Sequence, residues 1–257
     1  MAIGLSTSCV FPSGTETAFK IASEVGYDGV EIMISKQKET RDAHKIMELS
    51  EKYNLPILSI HAPVLVLTSF VFGIGAKEKL KKTVKLAEQV GADTVVVHPP
   101  YFFQTAFGKG FEHFINDLQQ STHVFISVEN MFNLRAWDKE LPTFIPSWNP
   151  GNINVSHTTL DFSHCASQGI DSLELAKQWG DKLNHIHLCD GHNGSIHDDH
   201  LVPGKGDQPV KETLQFLKQF EFSGHVIAEI HTDSFSKKKR KKKIEDTLRF
   251  ARKHFDK

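Results

Sequence analysis

Residues His187 to Asp207 read HLCDGHNGSIHDDHLVPGKGD. Imidazoles and carboxylates crowd a loop broken by glycines and one proline, and the apolar residues just before it (Leu183, Ile186, Leu188) have the look of a buried strand's end. A strand fixes the backbone and the loop after it is free to carry polar groups, so such a junction is where scaffolds place metal ions and chemistry. The side chains offered are nitrogen and oxygen ligands without paired sulfur. That set suits Zn²⁺, Mn²⁺ or a similar divalent ion.

Outward from that loop, short β-type runs alternate with longer amphipathic stretches. Strands are predicted at Ile3–Val10, Gly29–Ile34, Ile57–His61, Thr94–His98, Val124–Glu129, Thr158–Asp161, Leu183–Leu188 and His225–Glu229. Between them the apolar spacing predicts helices over Thr15–Val25, Thr40–Tyr53, Lys77–Val90, Phe111–Gln120, Leu173–Gln178 and Val210–Phe220, with Ile244–Phe255 closing the chain. Glycines 26 and 91 stand where helix C-caps belong. The valines of Thr94–His98 imply burial on both faces, as in a parallel sheet. Asn130–Ser156, rich in Pro, Trp and Asn, reads as an irregular excursion with only a short helix. Eight strand–helix units in 257 residues, without a linker or composition break, point to α/β architecture: a single (β/α)₈ TIM barrel over residues 1–257. A doubly wound open sheet is the alternative, weakened because no Gly-rich turn follows the first strand.

The barrel gives scattered residues a common address. Its strands' carboxyl ends converge on one mouth. There stand His61, His98, Glu129, Asp161 with His164 three residues on, His187 with Asp198 and His200 in its loop, and Glu229. Singly, His61 or His98 is as readily a hydrogen-bonded core histidine, and Glu129 a salt-bridge partner. Together, several ionisable groups at the buried ends of apolar strands would desolvate and repel one another unless a cation compensated them.

Composition sets the outer bounds. The chain is 39% hydrophobic and 24% charged with net charge −1, so no global field recruits nucleic acid. Its 15 histidines are roughly two to three times what an average chain carries. Cys9, Cys165 and Cys189 are far apart and read as buried thiols of a reducing cytosol. The N-terminus has neither a basic leader nor a long apolar core, and Ala62–Ala76 is too short and too interrupted to span a bilayer, so a cytoplasmic protein without a membrane partner is expected.

The motifs His61-Ala62-Pro63, His98-Pro99, Glu129-Asn130, Asp161-Phe162-Ser163-His164, His187-Leu188-Cys189-Asp190, Asp198-Asp199-His200 with Gly204-Lys205-Gly206, and Glu229 make the chain resemble the xylose isomerase-like, endonuclease IV-type superfamily of TIM barrels along nearly its whole length. The resemblance implies two alternatives. In the sugar isomerase/epimerase branch one ion is held by the equivalents of Glu129, Asp161, His187 and Glu229; the two glutamates shuttle a proton and His164 binds substrate. In the endonuclease IV branch three zincs are held: one by His61, His98 and Glu129, one by Glu129, Asp161, His187 and Glu229, one by His164, Asp198 and His200. Adjacent cations would there activate a water for phosphodiester hydrolysis. All nine positions carry the required residue type, so the ligands alone leave the branch open.

Departures favour the first branch. DNA-cleaving members place an aromatic and an Asn after the first histidine, whereas Ala62, Pro63 and Val64 follow here, and Pro99-Pro100 replaces Pro-Gly. The apolar loop Leu65–Gly75 suits a lid over a small substrate, a subunit contact, or packing on its own barrel. The run Lys237–Lys243, KKKRKKK, reads as a solvated cluster outside the last helix, since cations are disfavoured at a helix N-terminus. The expectation is therefore a metal-dependent isomerase or epimerase of a small sugar or sugar phosphate, with one to three Zn or Mn ions and Glu129 and Glu229 as catalytic groups. A zinc phosphodiesterase acting on abasic nucleic acid is the alternative, and a metal-binding barrel without turnover the third reading. Oligomeric state stays open.

Overall fold

The computed structural model describes residues 2–63, 70–73, 75–136 and 139–255. The barrel strands are β1 (Ile3–Ser6), β2 (Gly29–Met33), β3 (Ile57–His61), β4 (Thr94–Val97), β5 (Phe125–Glu129), β8 (His157–Asp161), β9 (Leu183–Leu188) and β10 (His225–Ala228). They are parallel throughout and close in that order, because β10 pairs back onto β1 with Ile3 opposite Val226 and Leu5 opposite Ala228. Around them run α1 (Thr15–Val25), α2 (Ala43–Tyr53), α3 (Ala76–Val90), α4 (Thr105–Lys109), α5 (Phe111–Gln120), α6 (Phe162–Gln168), α7 (Ser172–Trp179), α8 (Val210–Gln219) and α9 (Lys237–Phe255). The expected (β/α)₈ barrel is what forms.

Local chemistry explains the element boundaries. Asp42 caps α2 by accepting from the backbone N–H groups of His44 and Lys45. Gly26 ends α1 at φ 93°, a left-handed conformation that costs a side chain too much. Outward-facing strand residues such as Ile60, Val95 and Val97 are fully buried under the helices, as a sheet covered on its outer face requires.

Inside the barrel the pattern differs. In the layer one step below the mouth, Glu31 lies opposite Ser59 and Thr159 opposite His185 in neighbouring strands, and the side chains meet across the lumen. Ser59 Oγ donates to Glu31 at 2.7 Å, and Thr159 Oγ1 to Ser127 Oγ at 2.7 Å. Barrel interiors are commonly filled by branched aliphatics; here a fully buried polar layer supports the residues two positions further along β3, β5, β8 and β9.

Four sequence expectations change. The strand expected over Ile3–Val10 ends at Ser6, and Thr7–Val10 turns into a 3₁₀ helix whose start Ser6 caps. Within 130–156 a hairpin forms from β6 (Leu134–Ala136) and β7 (Lys139–Leu141), paired antiparallel, beside a 3₁₀ turn at Pro150–Asn152. Two short helices, α4 and α6, were not anticipated; α6 starts because Asp161 accepts from the His164 N–H at 2.7 Å. The basic run is not a free segment but the first two turns of α9. Its charges find partners that offset the helix dipole: Lys241 meets Glu24 at 2.6 Å, Lys242 meets Asp246 at 2.9 Å, and Arg240 is buried, donating to Ser13 Oγ at 2.7 Å. The expected lid after β3 lies largely outside the described residues.

Candidate metal centre

The nine polar residues expected at the mouth do converge. Among the described residues five groups each bring their ligand atoms within 4.8 Å of one another: His61–His98–Glu129, Glu129–Asp161–His187, His164–Asp198–His200, Asp161–Cys189–His200 and, one layer lower, Glu31–His185–His187. Glu129 sits at the centre. His98 Nε2 is 2.8 Å from Glu129 Oε2, His61 Nε2 3.2 Å from the same oxygen, and His187 Nδ1 2.8 Å from Oε1. The same His187 Nδ1 is 2.9 Å from Glu229 Oε2, so the two glutamates flank one imidazole.

The backbone sets which ring nitrogen faces inward. His61 Nδ1 donates to the Ala62 carbonyl at 3.1 Å, His164 Nδ1 to the Asn130 carbonyl at 2.8 Å and His200 Nδ1 to the Glu229 carbonyl at 2.7 Å. Each of these rings therefore presents Nε2 to the centre. His187 is reversed: its Nε2 faces Glu31 Oε1 at 3.3 Å and its Nδ1 faces the glutamates. Fixing one nitrogen so that the other is aimed is how proteins prepare imidazole ligands.

Asp198 and His200 are held by a loop that Asp190 organises. The Asp190 carboxylate accepts backbone N–H groups from Gly191 (2.9 Å), Gly204 (2.8 Å), Gly206 (2.9 Å) and Gln208 (3.2 Å). Gly206 has to be glycine, since a Cβ there would lie 2.4 Å from the Gly191 carbonyl oxygen. Asp198 Oδ2 is then 3.2 Å from His164 Nε2 and 3.0 Å from His200 Nε2, while its Oδ1 accepts from Ser163. Asn130 ties β5 to β8 by accepting from Asp161 N and donating to Asp161 O.

Burial alone would neutralise these groups, yet their neighbours prevail. Burial depresses the His164 imidazole, but Asp161 and Asp198 push it up to about 10. Against the same desolvation, Glu229 and Glu129 hold His187 well above its usual value, and Asp198 does so for His200. Burial favours the neutral acid at Glu129 and Glu229, but the His187 charge holds Glu129 well below the carboxylate range and Glu229 at about 2. Asp161 is raised, by burial. Protonated imidazoles thus supply the positive charge that the carboxylates need. A divalent ion meets the same need, so the donor set fits one: oxygen and nitrogen atoms preaimed at shared positions.

The cluster forms the floor of a cavity of about 700 Å³ opening at the strands' carboxyl ends. One wall, from the ends of β1 and β2 and the segments after them, is mostly polar: Ser13, Thr15, Ser35, Gln37 and Thr40, with Phe11 and Met33 among them. The opposite wall is Tyr101, Met131, Phe132, Leu134 and Phe144. Ser8 Oγ, at the floor, donates to Glu229 Oε1 at 3.1 Å. Among the described residues no lysine or arginine lines this space.

Several contributors were missed from sequence. Glu31 and His185, both fully buried, lie under His187, with His185 Nε2 3.0 Å from Glu31 Oε2. A signal was present: polar residues recur at the second position before four of the mouth residues, in Ser59-x-His61, Ser127-x-Glu129, Thr159-x-Asp161 and His185-x-His187. That period of two marks one inward face.

Residues 19–254 match the sequence profile described as xylose isomerase-like TIM barrel. The chain belongs to that family. An uncharacterized protein of Mycobacterium leprae is 40% identical over 270 residues, covering 97% of this chain and 96% of that one. Fructoselysine 3-epimerase of Escherichia coli O157:H7 is 22% identical over 246 residues, covering 84% of this chain and 86% of its own. Among solved structures, the IOLI protein with a bound zinc atom superposes with TM-score 0.72 at 18% identity over 100% of both chains, a likeness of fold.

Proposed function

We propose that the chain is a divalent-metal-dependent isomerase or epimerase of a small sugar or sugar phosphate. One observation carries the reading: Glu129 and Glu229 flank the same His187 nitrogen, at 2.8 and 2.9 Å, on the floor of a cavity sized for a small molecule. Glu129, Asp161, His187 and Glu229 would hold the ion, which when bound polarises a substrate carbonyl and its neighbouring hydroxyl. Both glutamates are ionised at neutral pH, so either can accept the proton from the carbon beside that carbonyl. Return of a proton to that carbon from the opposite carboxyl, reloaded from solvent, inverts the centre; return to the adjoining carbon moves the carbonyl. Ser8 holds the Glu229 carboxylate in place during this exchange, and His164, beside Phe132 at the wall, is positioned to meet a substrate hydroxyl.

The epimerase activity of the 22%-identical relative and the zinc in the fold neighbour support this reading. Incubation of Mn²⁺- or Zn²⁺-loaded protein with ketoses and their phosphates in deuterated water should place deuterium on carbon. Glu129→Gln and Glu229→Gln should each lower that exchange by about 10²–10⁴-fold. Absence of exchange across a broad panel by fully loaded protein overturns the proposal. The complete nine-residue set favours a second reading, a three-zinc phosphodiesterase; a zinc stoichiometry near one, or an abasic duplex left uncut by the loaded protein, removes it.

A further inference from the structure

The two walls of the cavity are chemically unlike, and the difference bears on what enters. The polar wall offers hydroxyl and amide groups: Thr15 Oγ1 donates to Gln37 Oε1 at 3.3 Å, and Gln37 Nε2 to the Ser13 carbonyl at 3.5 Å. Such groups match a polyol. The facing wall offers rings and thioethers. Tyr101 packs on Phe144 with centroids 4.8 Å apart and is backed by Phe103 at 5.4 Å. Leu134, at this wall's edge, is 52% exposed; Phe11, 63% exposed, stands across from it among the polar groups. A free hexose can lay one C–H face on a single ring but leaves the rest of this wall uncovered, where an apolar substituent would bury it.

Charge excludes a second class. A phosphate in a protein cavity is met by arginine, lysine or a set of backbone N–H groups. None of the described lining residues is a lysine or arginine, while Glu129, Asp198, Glu229 and Asp233 all line the space. Outside the described residues, 64–69, 74 and 137–138 contain neither cation in the sequence, and Arg135 follows the lining Leu134 in the chain. The nearest buried cation, Arg240, is turned onto Ser13 Oγ and the Phe11 carbonyl behind the polar wall.

We infer that the substrate is an unphosphorylated ketose carrying an apolar substituent, the sugar lying on the polar wall above Glu129 and Glu229 and the substituent on Tyr101, Phe144 and Leu134. The inference rests on the proposed isomerase or epimerase reading and narrows it. Its test compares three probes on metal-loaded protein: D-fructose, D-fructose 6-phosphate, and 1-benzylamino-1-deoxy-D-fructose. Carbon-bound deuterium incorporation is followed by NMR, and binding by calorimetry. The benzyl conjugate should exceed fructose by about tenfold in kcat/KM and in affinity, as one buried aromatic contact allows, and the phosphate should be the poorest of the three. Tyr101→Ala and the exposed Leu134→Ser should each lower the conjugate-to-fructose ratio at least threefold. Equal or better handling of fructose or its phosphate overturns the inference. If no probe exchanges deuterium, the activity reading fails instead, and the binding ratio alone decides: preference for the conjugate sustains the substrate class, and parity ends it.

Discussion

Glu31→Gln tests whether the centre depends on what lies beneath it. The Glu31 carboxylate is fully buried and has three neighbours: Ser59 Oγ at 2.7 Å, His185 Nε2 at 3.0 Å and His187 Nε2 at 3.3 Å. Glutamine keeps the shape and one acceptor oxygen. It loses the charge; with its oxygen at the position that accepts from Ser59, His185 and His187, its NH₂ takes the place of Oε1, 3.3 Å from the His187 Nε2 donor. The ring most exposed to that loss is His187, whose Nε2–H needs a fixed acceptor if Nδ1 is to face Glu129 and Glu229. Carboxylates that orient a ligating histidine in this way change metal affinity by about 10–100-fold when replaced, which is roughly 1.4–2.7 kcal/mol. Zinc affinity measured by competition with a chromophoric chelator should fall by that amount, and the visible d–d bands of the Co²⁺-loaded variant should shift as the ring loses its orientation. Ser59→Ala, which removes one neutral donor to the same carboxylate, should cost less, about 1 kcal/mol of folding stability. A folded Glu31→Gln protein with zinc affinity within about twofold of the parent and an unchanged Co²⁺ spectrum refutes the reasoning.

Metal loading should release protons: His164, pushed up to about 10, is protonated in the metal-free protein at pH 8 and must become neutral to ligate, and His187 and His200 are raised in the same direction, so calorimetric enthalpies should depend on buffer ionisation. The same raised value fixes the sign of a stability effect. His164 gains its partners on folding, so its contribution is complete below the unfolded value near 6.5 and is lost as pH climbs through about 10; the melting temperature of chelated protein should fall across that window. Asp190→Asn should destabilise by about 2–3 kcal/mol in denaturant titration, because four backbone N–H groups lose a charged acceptor, and zinc affinity should fall with it as Asp198 and His200 lose their support. Replacing the exposed Lys237, Lys238 and Lys239 by Glu should leave the exchange kcat/KM within about twofold, since surface charges away from the cavity contribute little; a large fall would mean that this end of α9 meets an anionic substrate.

The barrel and its mouth were legible because both depend on patterns the chain repeats. Apolar runs of strand length ending in His61, Glu129, Asp161, His187 and Glu229 announce the same event five times, and closure of one sheet is the geometry that turns those ends into neighbours. The hairpin Leu134–Leu141 was not legible. Its strands are three residues each and Leu134 and Leu141 are exposed, so no buried face imposes a period of two. α6 escaped for a related reason. It is seven residues long, shorter than two full apolar periods, and every one of its residues is buried. Its start is written in a single residue, Asp161, which was claimed for the metal site and also caps the helix.

The basic run and the buried Glu31 fail in opposite directions for one reason. Sequence rules weigh a charge by its local surroundings, and both charges are settled by distant ones. Lys237–Lys243 looks wrong for a helix N-terminus until Glu24, on α1, and the Ser13 hydroxyl and Phe11 carbonyl of the first loop are placed beside it. Glu31 receives no role within the expected strand Gly29–Ile34, and its role is set only when β9 brings His185 and His187 across the lumen, 154 and 156 residues away in the chain. A fully buried carboxylate is costly unless paired, so its presence inside an apolar strand already implies a cationic or proton-donating partner within the barrel. The polar layer below the mouth is therefore part of what allows an acidic cluster to be built at the end of apolar strands: His61, Glu129, Asp161 and His187 each stand two positions above a residue that already turns a polar group inward, while His98 and Glu229 stand above Val96 and Ile227.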